Sequence, residues 1–137
     1  IQNIAGKLVD KETSPKYYFT DNGILNLFLL DGNTSLLENM VAVNLLRKYG
    51  RNDAVYFYNQ NIEVDFYIPD DYTVIQVCYN LDNSDGTFDR EVKALLKITE
   101  VLECKKLLII TRDTERTIEM GGKTIEVLPV WKWLLSL

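Results

Sequence analysis

The sequence contains no histidine. That one absence removes Ser-His-Asp and Cys-His triads, histidine general bases and histidine metal ligands together. Cysteine is scarce: Cys78 and Cys104 are too few for a disulfide framework or a cysteine zinc site. No apolar run reaches the length of a membrane span and no signal peptide is visible, so no membrane partner is expected and a cytoplasmic location is the default. There is no G-x-x-x-x-G-K-[ST] loop, hence no ATP site within this chain. An excess of positive charge is missing too: the formal net charge is −5, whereas dedicated DNA-binding domains are usually basic. Any hydrolytic chemistry therefore rests on carboxylates, amides, lysines and a hard ion such as Mg²⁺ or Mn²⁺.

What is present suits a single folded domain. The 137 residues are 47% hydrophobic and 26% charged, enough to build a core. The chain opens "IQNIAGKLVDKETSPKYYF" without an initiator methionine, as a piece of a longer protein would. Residues 1–15 read as the tail of a preceding region or a linker, and 16–137 as the domain. A short extended segment, "KYYF", leads into a helix near Asp21. "SLLENMVAVNLLRKYG" predicts the next helix, with Gly50 as its C-cap. Arg47, Lys48 and Arg51 form a basic group there, read as a solvated helix end with cations favoured by the dipole.

Three strand-like runs follow, at 54–58, 63–68 and 73–79, the last two joined by the turn "PDDY". Phe88, Val92, Leu95, Leu96, Thr99 and Leu102 recur at helical spacing, and "KKLLIITRD" reads as a strand buried on both faces. "RTIEMGGKTIEVL" predicts a hairpin with Gly121-Gly122 at its tip, and "PVWKWLL" a short closing helix entered through Pro129. This order predicts an α/β fold with a mixed central sheet: an antiparallel meander, then a helical crossover to a parallel neighbour.

Alternation puts Glu63, Asp65 and Tyr67 on one face of their strand and Val64, Phe66 and Ile68 on the other. Pairing Ile68 with Thr73 matches Phe66 with Ile75 and Val64 with Val77, and clusters Glu63, Asp65, Gln76 and Cys78 on the opposite face. Such a cluster can hold Mg²⁺ or Mn²⁺, which would activate a water for attack on a phosphodiester. Glu38 on the preceding helix is a candidate third carboxylate. Its local alternative is a capping box, Ser35-x-x-Glu38. Cys78 and Cys104 are expected to pack as small hydrophobes.

"LLENMVAVNLLRKYG", "VYFYNQNIEVDFYI", "VIQVCYNL" and "DREVKALLK", with "KYYFTDNGIL" before them, resemble the C-terminal domain of unknown function attached to many bacterial and archaeal AAA-type ATPases. The resemblance runs from about Lys16 to the end. It implies N-terminal P-loop ATPase and winged-helix domains on the same chain as partners. That family is similar to the PD-(D/E)XK nuclease superfamily, which implies a restriction-endonuclease-like core of helix, three strands, helix and strand. On that pattern Glu38, Asp65 and Gln76 are the candidate metal and catalytic residues, with Glu63 and Cys78 beside them. The chain departs from the pattern in two places. Gln76 brings no charge where an acid is usual, and Cys78 stands where a lysine would stabilise negative charge. Some superfamily members carry the lysine on the following helix, where Arg90, Lys93 and Lys97 are candidates. The leading reading is therefore a degenerate, DNA- or partner-binding nuclease-fold domain. Beside it stand an active Mg²⁺/Mn²⁺-dependent endonuclease and a structural domain that forms homo-oligomers, the latter suggested by net acidity and by Trp131 and Trp133. The tryptophans themselves read as core or domain-interface residues.

Overall fold

Short runs rich in β-branched and aromatic residues form the strands, and two striped helices cover the sheet from opposite sides. The computed structural model describes residues 1–8, 14–22, 33–51, 53–81 and 86–137. Strand β1 (Gln2–Asn3) runs into helix α1 (Ile4–Leu8), and α2 spans Asn33–Tyr49. The meander is β2 (Tyr56–Gln60), β3 (Ile62–Ile68) and β4 (Thr73–Val77), followed by helix α3 (Thr87–Ile98). Strand β5 (Lys106–Thr111), the hairpin β6 (Arg116–Met120) and β7 (Lys123–Pro129), and helix α4 (Val130–Ser136) complete the chain.

Among the described residues the sheet has seven strands in the order β1-β2-β3-β4-β5-β7-β6. The meander is antiparallel, while β1–β2, β4–β5 and β5–β7 are parallel. The mixed α/β architecture expected from the sequence is thus observed. Helix α3 is the crossover between β4 and β5, and its Val92, Leu95 and Ile98 pack with Ile4, Val74, Ile109 and Val127 on one face. On the other face Leu37, Val41 and Leu45 of α2 and Trp133 of α4 pack against Phe66, Ile75, Leu108 and Ile110. β5 is buried on both sides, as its unbroken apolar run requires. Gly121 and Gly122 both take positive φ, 59° and 74°, and let β6 turn directly into β7. No helix among the described residues is long and apolar enough to cross a membrane.

Three expectations are corrected. Residues 1–8 are part of the fold and not a tail: β1 pairs with β2, and Ile4 and Ala5 are buried. Asn3 secures this, because its Oδ1 accepts from Ala5 N and Asn59 N, each at 3.1 Å, while its Nδ2 donates to Asn59 O at 3.1 Å. Helix α2 begins at Asn33, so Ser35 lies inside its first turn and no Ser35–Glu38 capping box forms; tertiary partners claim Glu38 instead. The helix expected near Asp21 falls largely on residues 23–32, outside the described residues.

The third correction shapes the site. Tyr56 faces Tyr67 and Tyr58 faces Val64, so one residue of β2 opposes two of β3, Asp65 and Phe66. This is a β-bulge, which re-aims side chains where it occurs. It turns Val64 to the α3 side while Phe66 and Ile68 stay on the α2 side, so simple alternation fails at Asp65.

Candidate functional site

The turn end of the β3–β4 pair follows the apolar register: Ile68 faces Thr73, Tyr67 faces Val74 and Phe66 faces Ile75. Beyond the bulge, side chains take over the join. Asp65 Oδ2 accepts from Val77 N at 2.8 Å. Gln76 Oε1 accepts from Asp65 N at 2.8 Å, and its Nε2 donates to Glu63 O at 3.0 Å. The Gln76 side chain is 2% exposed, so it acts as a strand-like insert joining the two backbones away from water. Asp65, Gln76 and Glu63 are therefore together. Cys78 is not with them: it is buried in the core beside Val64 and Val92, and its thiol donates to Asn80 O at 2.9 Å. The bulge contributes to this, since it turns Val64 to the α3 side, where Val64 joins Cys78, Val74 and Val92.

Glu38 reaches the same region from α2. Its Oε1 accepts from the Tyr18 hydroxyl at 2.8 Å and lies 3.8 Å from Lys16 Nζ. Lys16 also donates to Glu63 Oε1 at 2.9 Å, and its ammonium sits 4.8 Å from the centre of the Phe57 ring. The segment carrying Lys16 and Tyr18 is gripped by Asn39. The Asn39 amide accepts from Phe19 N at 2.8 Å and donates to Phe19 O at 2.7 Å and Asn22 Oδ1 at 2.6 Å. From the α3 side comes Glu91, whose largely covered side chain lies 3.7 Å from Arg90.

Among the carboxylates that share this space, Asp65 and Glu91 are shifted. Burial, then the charge of Glu38, pushes the Asp65 carboxyl well above the usual carboxylate range; the Val77 N–H and Lys16 oppose this, and Glu91 adds to it. Burial also raises Glu91, with Glu63 and Glu38 contributing and Arg90 opposing. The Tyr18 hydroxyl is pushed up by burial and by Glu38. For Lys16, burial works against the charged form. The hydrogen bond to Glu63 and the charges of Glu38, Asp65 and Glu63 outweigh it, so the ammonium is held above its ordinary value.

A cleft of about 900 Å³ opens between this join and α3. Asp65, Gln76, Glu63 and Glu91 line it together with Arg90, Lys93 and Lys97. The helix cations of the sequence reading thus rim the space in front of Asp65. Lys93 and Lys97 form no ion pair among the described residues, and the amine that touches the carboxylates is Lys16.

These residues do not fit Mg²⁺ or Mn²⁺ as arranged. A hard divalent ion wants several oxygens converging on one point. Here Asp65 Oδ2 and Gln76 Oε1 each take a backbone N–H, Glu38 Oε1 takes the Tyr18 hydroxyl, and an ammonium lies between Glu38 and Glu63. Among the described residues no group of three or more acidic or cysteine side chains is placed to hold a metal ion. In the set that the resemblance implies for a metal, Glu38, Asp65 and Gln76 each engage a partner within the protein.

The sequence reading missed Lys16, Tyr18, Asn39 and Glu91. A signal existed for the first two: "KYYF" alternates, which places Lys16 and Tyr18 on one side and Tyr17, 88% exposed, on the other. Of the tryptophans, Trp133 is core and Trp131 is 57% exposed.

Among curated proteins the chain is similar to an uncharacterized protein, MJ1544, of Methanocaldococcus jannaschii. It is 34% identical over 110 residues, covering 74% of this chain and 24% of that protein. The chain therefore spans about a quarter of the length of the curated relative it matches. No protein-family model matches the chain, and no solved structure matches it.

Proposed function

We propose that this chain is a restriction-endonuclease-like accessory domain of a P-loop ATPase carried on the same polypeptide. In this reading its acidic site has become structural, and it binds DNA along the cleft in front of Asp65 without cleaving it efficiently. The observation that carries the reading is the join between β3 and β4. Asp65 and Gln76, which a nuclease would hold ready for a metal, complete the backbone hydrogen bonding of each other's strands. Support for the fold assignment comes from the order α2, β2-β3-β4, α3, β5, which is that of the superfamily core. Cys78, in the lysine position of the pattern, lies in the core and has no ammonium to offer a developing charge. Support for DNA comes from Arg90, Lys93 and Lys97 at the cleft, since cations along a groove meet successive phosphates.

Two assays test this. Plasmid and branched DNA incubated with Mn²⁺ should be cleaved no faster by the wild-type protein than by Asp65→Ala. Metal-dependent cleavage lost in Asp65→Ala would overturn the loss of catalysis. DNA binding should weaken with salt, and the Lys93→Ala/Lys97→Ala variant should lower the log–log salt slope by about 2, one for each phosphate contact removed. An unchanged slope would remove the cleft from the DNA-binding reading.

A further inference from the structure

The acidic side chains around Asp65 already enclose one cation, and it belongs to the protein. Lys16 Nζ is 2.9 Å from Glu63 Oε1 and 3.8 Å from Glu38 Oε1, with the Phe57 ring beneath it at 4.8 Å. Its side chain is 26% exposed and Glu38's 24%, so water screens that attraction weakly compared with a surface pair, whereas the closer pair with Glu63, 56% exposed, is screened more. The segment bearing Lys16 is fixed in place at two points. Lys16 N and O exchange hydrogen bonds with Ile1 O and Ile1 N, at 2.8 and 2.9 Å, and Asn39 grips Phe19 through both its N–H and its C=O.

We propose that Lys16 is the resident cation of this acidic site, an internal ammonium that balances Glu38, Glu63 and Asp65 and thereby keeps divalent metal out. An ammonium is a compact point charge with three donors, suited to satisfying several carboxylates from one position. A hard divalent ion entering the site would meet a like charge at contact distance, and one oxygen of each carboxylate already holds a donor. The ammonium also stays charged at neutral pH, because its carboxylate partners outweigh the effect of burial. This inference rests on the reading of a site that has lost its metal chemistry, and it adds Lys16 to the causes of that loss. The sequence pattern alone would have blamed Gln76 and Cys78.

The test is metal binding without DNA, so its outcome is independent of whether the cleft binds nucleic acid. Mn²⁺ is titrated into wild type, Lys16→Met and Lys16→Arg, with binding followed by the electron paramagnetic resonance signal of unbound Mn²⁺ and folding checked by circular dichroism. Lys16→Met should bind Mn²⁺ at least roughly tenfold more tightly than wild type, because a positive charge has left the carboxylates. Lys16→Arg should behave as wild type, and adding Glu38→Gln to Lys16→Met should abolish the gain. A folded Lys16→Met protein with no gain over wild type would overturn the proposal. Should that variant not fold, Lys16→Gln replaces it, keeping a donor for Glu63 without the charge. In every case the wild-type side-chain carboxyl carbons of Glu38, Glu63 and Asp65 are watched by NMR during the titration. Selective broadening at submillimolar Mn²⁺ would show that the site accepts metal with Lys16 in place, and the proposal would fall; unbroadened signals support it.

Discussion

From Phe66 to Ile68, β3 meets β4 in simple backbone register, whereas at Asp65 and Gln76, one step further along the same two strands, the join is made by side chains. The two ends obey different rules. A backbone ladder accepts almost any side chain that fits the pleat, because the groups that bond are the same in every residue. A seam stitched by a carboxylate and an amide depends on the donors and acceptors of those two residues and on no others. The place where β3 stops behaving as a ladder is also the place where the acidic residues collect, since the bulge that opens the strands re-aims Asp65.

Changing Gln76 should break the stitched end most severely. Gln76→Glu keeps the shape of the side chain, yet it removes the donor to Glu63 O and adds a negative charge beside Asp65. A loss of about 3 kcal/mol or more is expected from an unpaired buried carbonyl and an uncompensated charge, read as the shift of a urea unfolding curve. Wild-type stability in that variant would mean the amide is not the stitch described here.

Asp65 sharpens the comparison because its two roles can be separated. Asp65→Ala leaves the Val77 N–H without its acceptor and should cost about 2 kcal/mol. Asp65→Asn keeps an acceptor and removes a buried charge, so at neutral pH it should be at least as stable as wild type. The sign follows from linkage. The folded-state pKa of Asp65 lies above the unfolded value of about 3.9, so the native state holds the proton more tightly. Its contribution is most favourable below pH 4 and declines as pH rises from there through the folded pKa. Melting temperatures across that range should show the decline in wild type and a flatter profile in Asp65→Asn; identical profiles would contradict the shift. The smallest effect is expected at the laddered end. Thr73→Val keeps the ladder bonds and loses only the long hydroxyl contact to Asp71 O, 3.5 Å, so it should cost about 1 kcal/mol or less in the same urea experiment.

The sheet was largely legible in the sequence, for local reasons. "PDDY" supplies a turn, and the apolar residues of 66–68 and 73–75 can share a core in only one register, the one observed. The crossover helix and β5 were legible because a helical stripe followed by an unbroken apolar run leaves few alternatives. The bulge was not. "IEVDFYI" alternates acceptably with or without an extra residue, and only the pairing of Tyr56 with Tyr67 decides it. Glu38 was misread locally because Ser35-x-x-Glu38 satisfies the capping pattern, although the helix starts two residues earlier. Lys16 escaped notice because its partners, Glu38 and Glu63, lie 22 and 47 positions away in the chain, beyond the reach of any periodicity.

The grips made by Asn3 on Asn59 and by Asn39 on Phe19 have a consequence beyond geometry. Each engages both the N–H and the C=O of one residue in a distant segment, 56 and 20 positions away, through a side chain that never ionises. In a chain with 20 acidic and 15 basic side chains, the net charge swings widely with acidity. These two long-range fastenings take no part in that swing. As protons come and go around Asp65, the first strand and the Lys16 segment remain anchored by bonds whose strength has no titration curve.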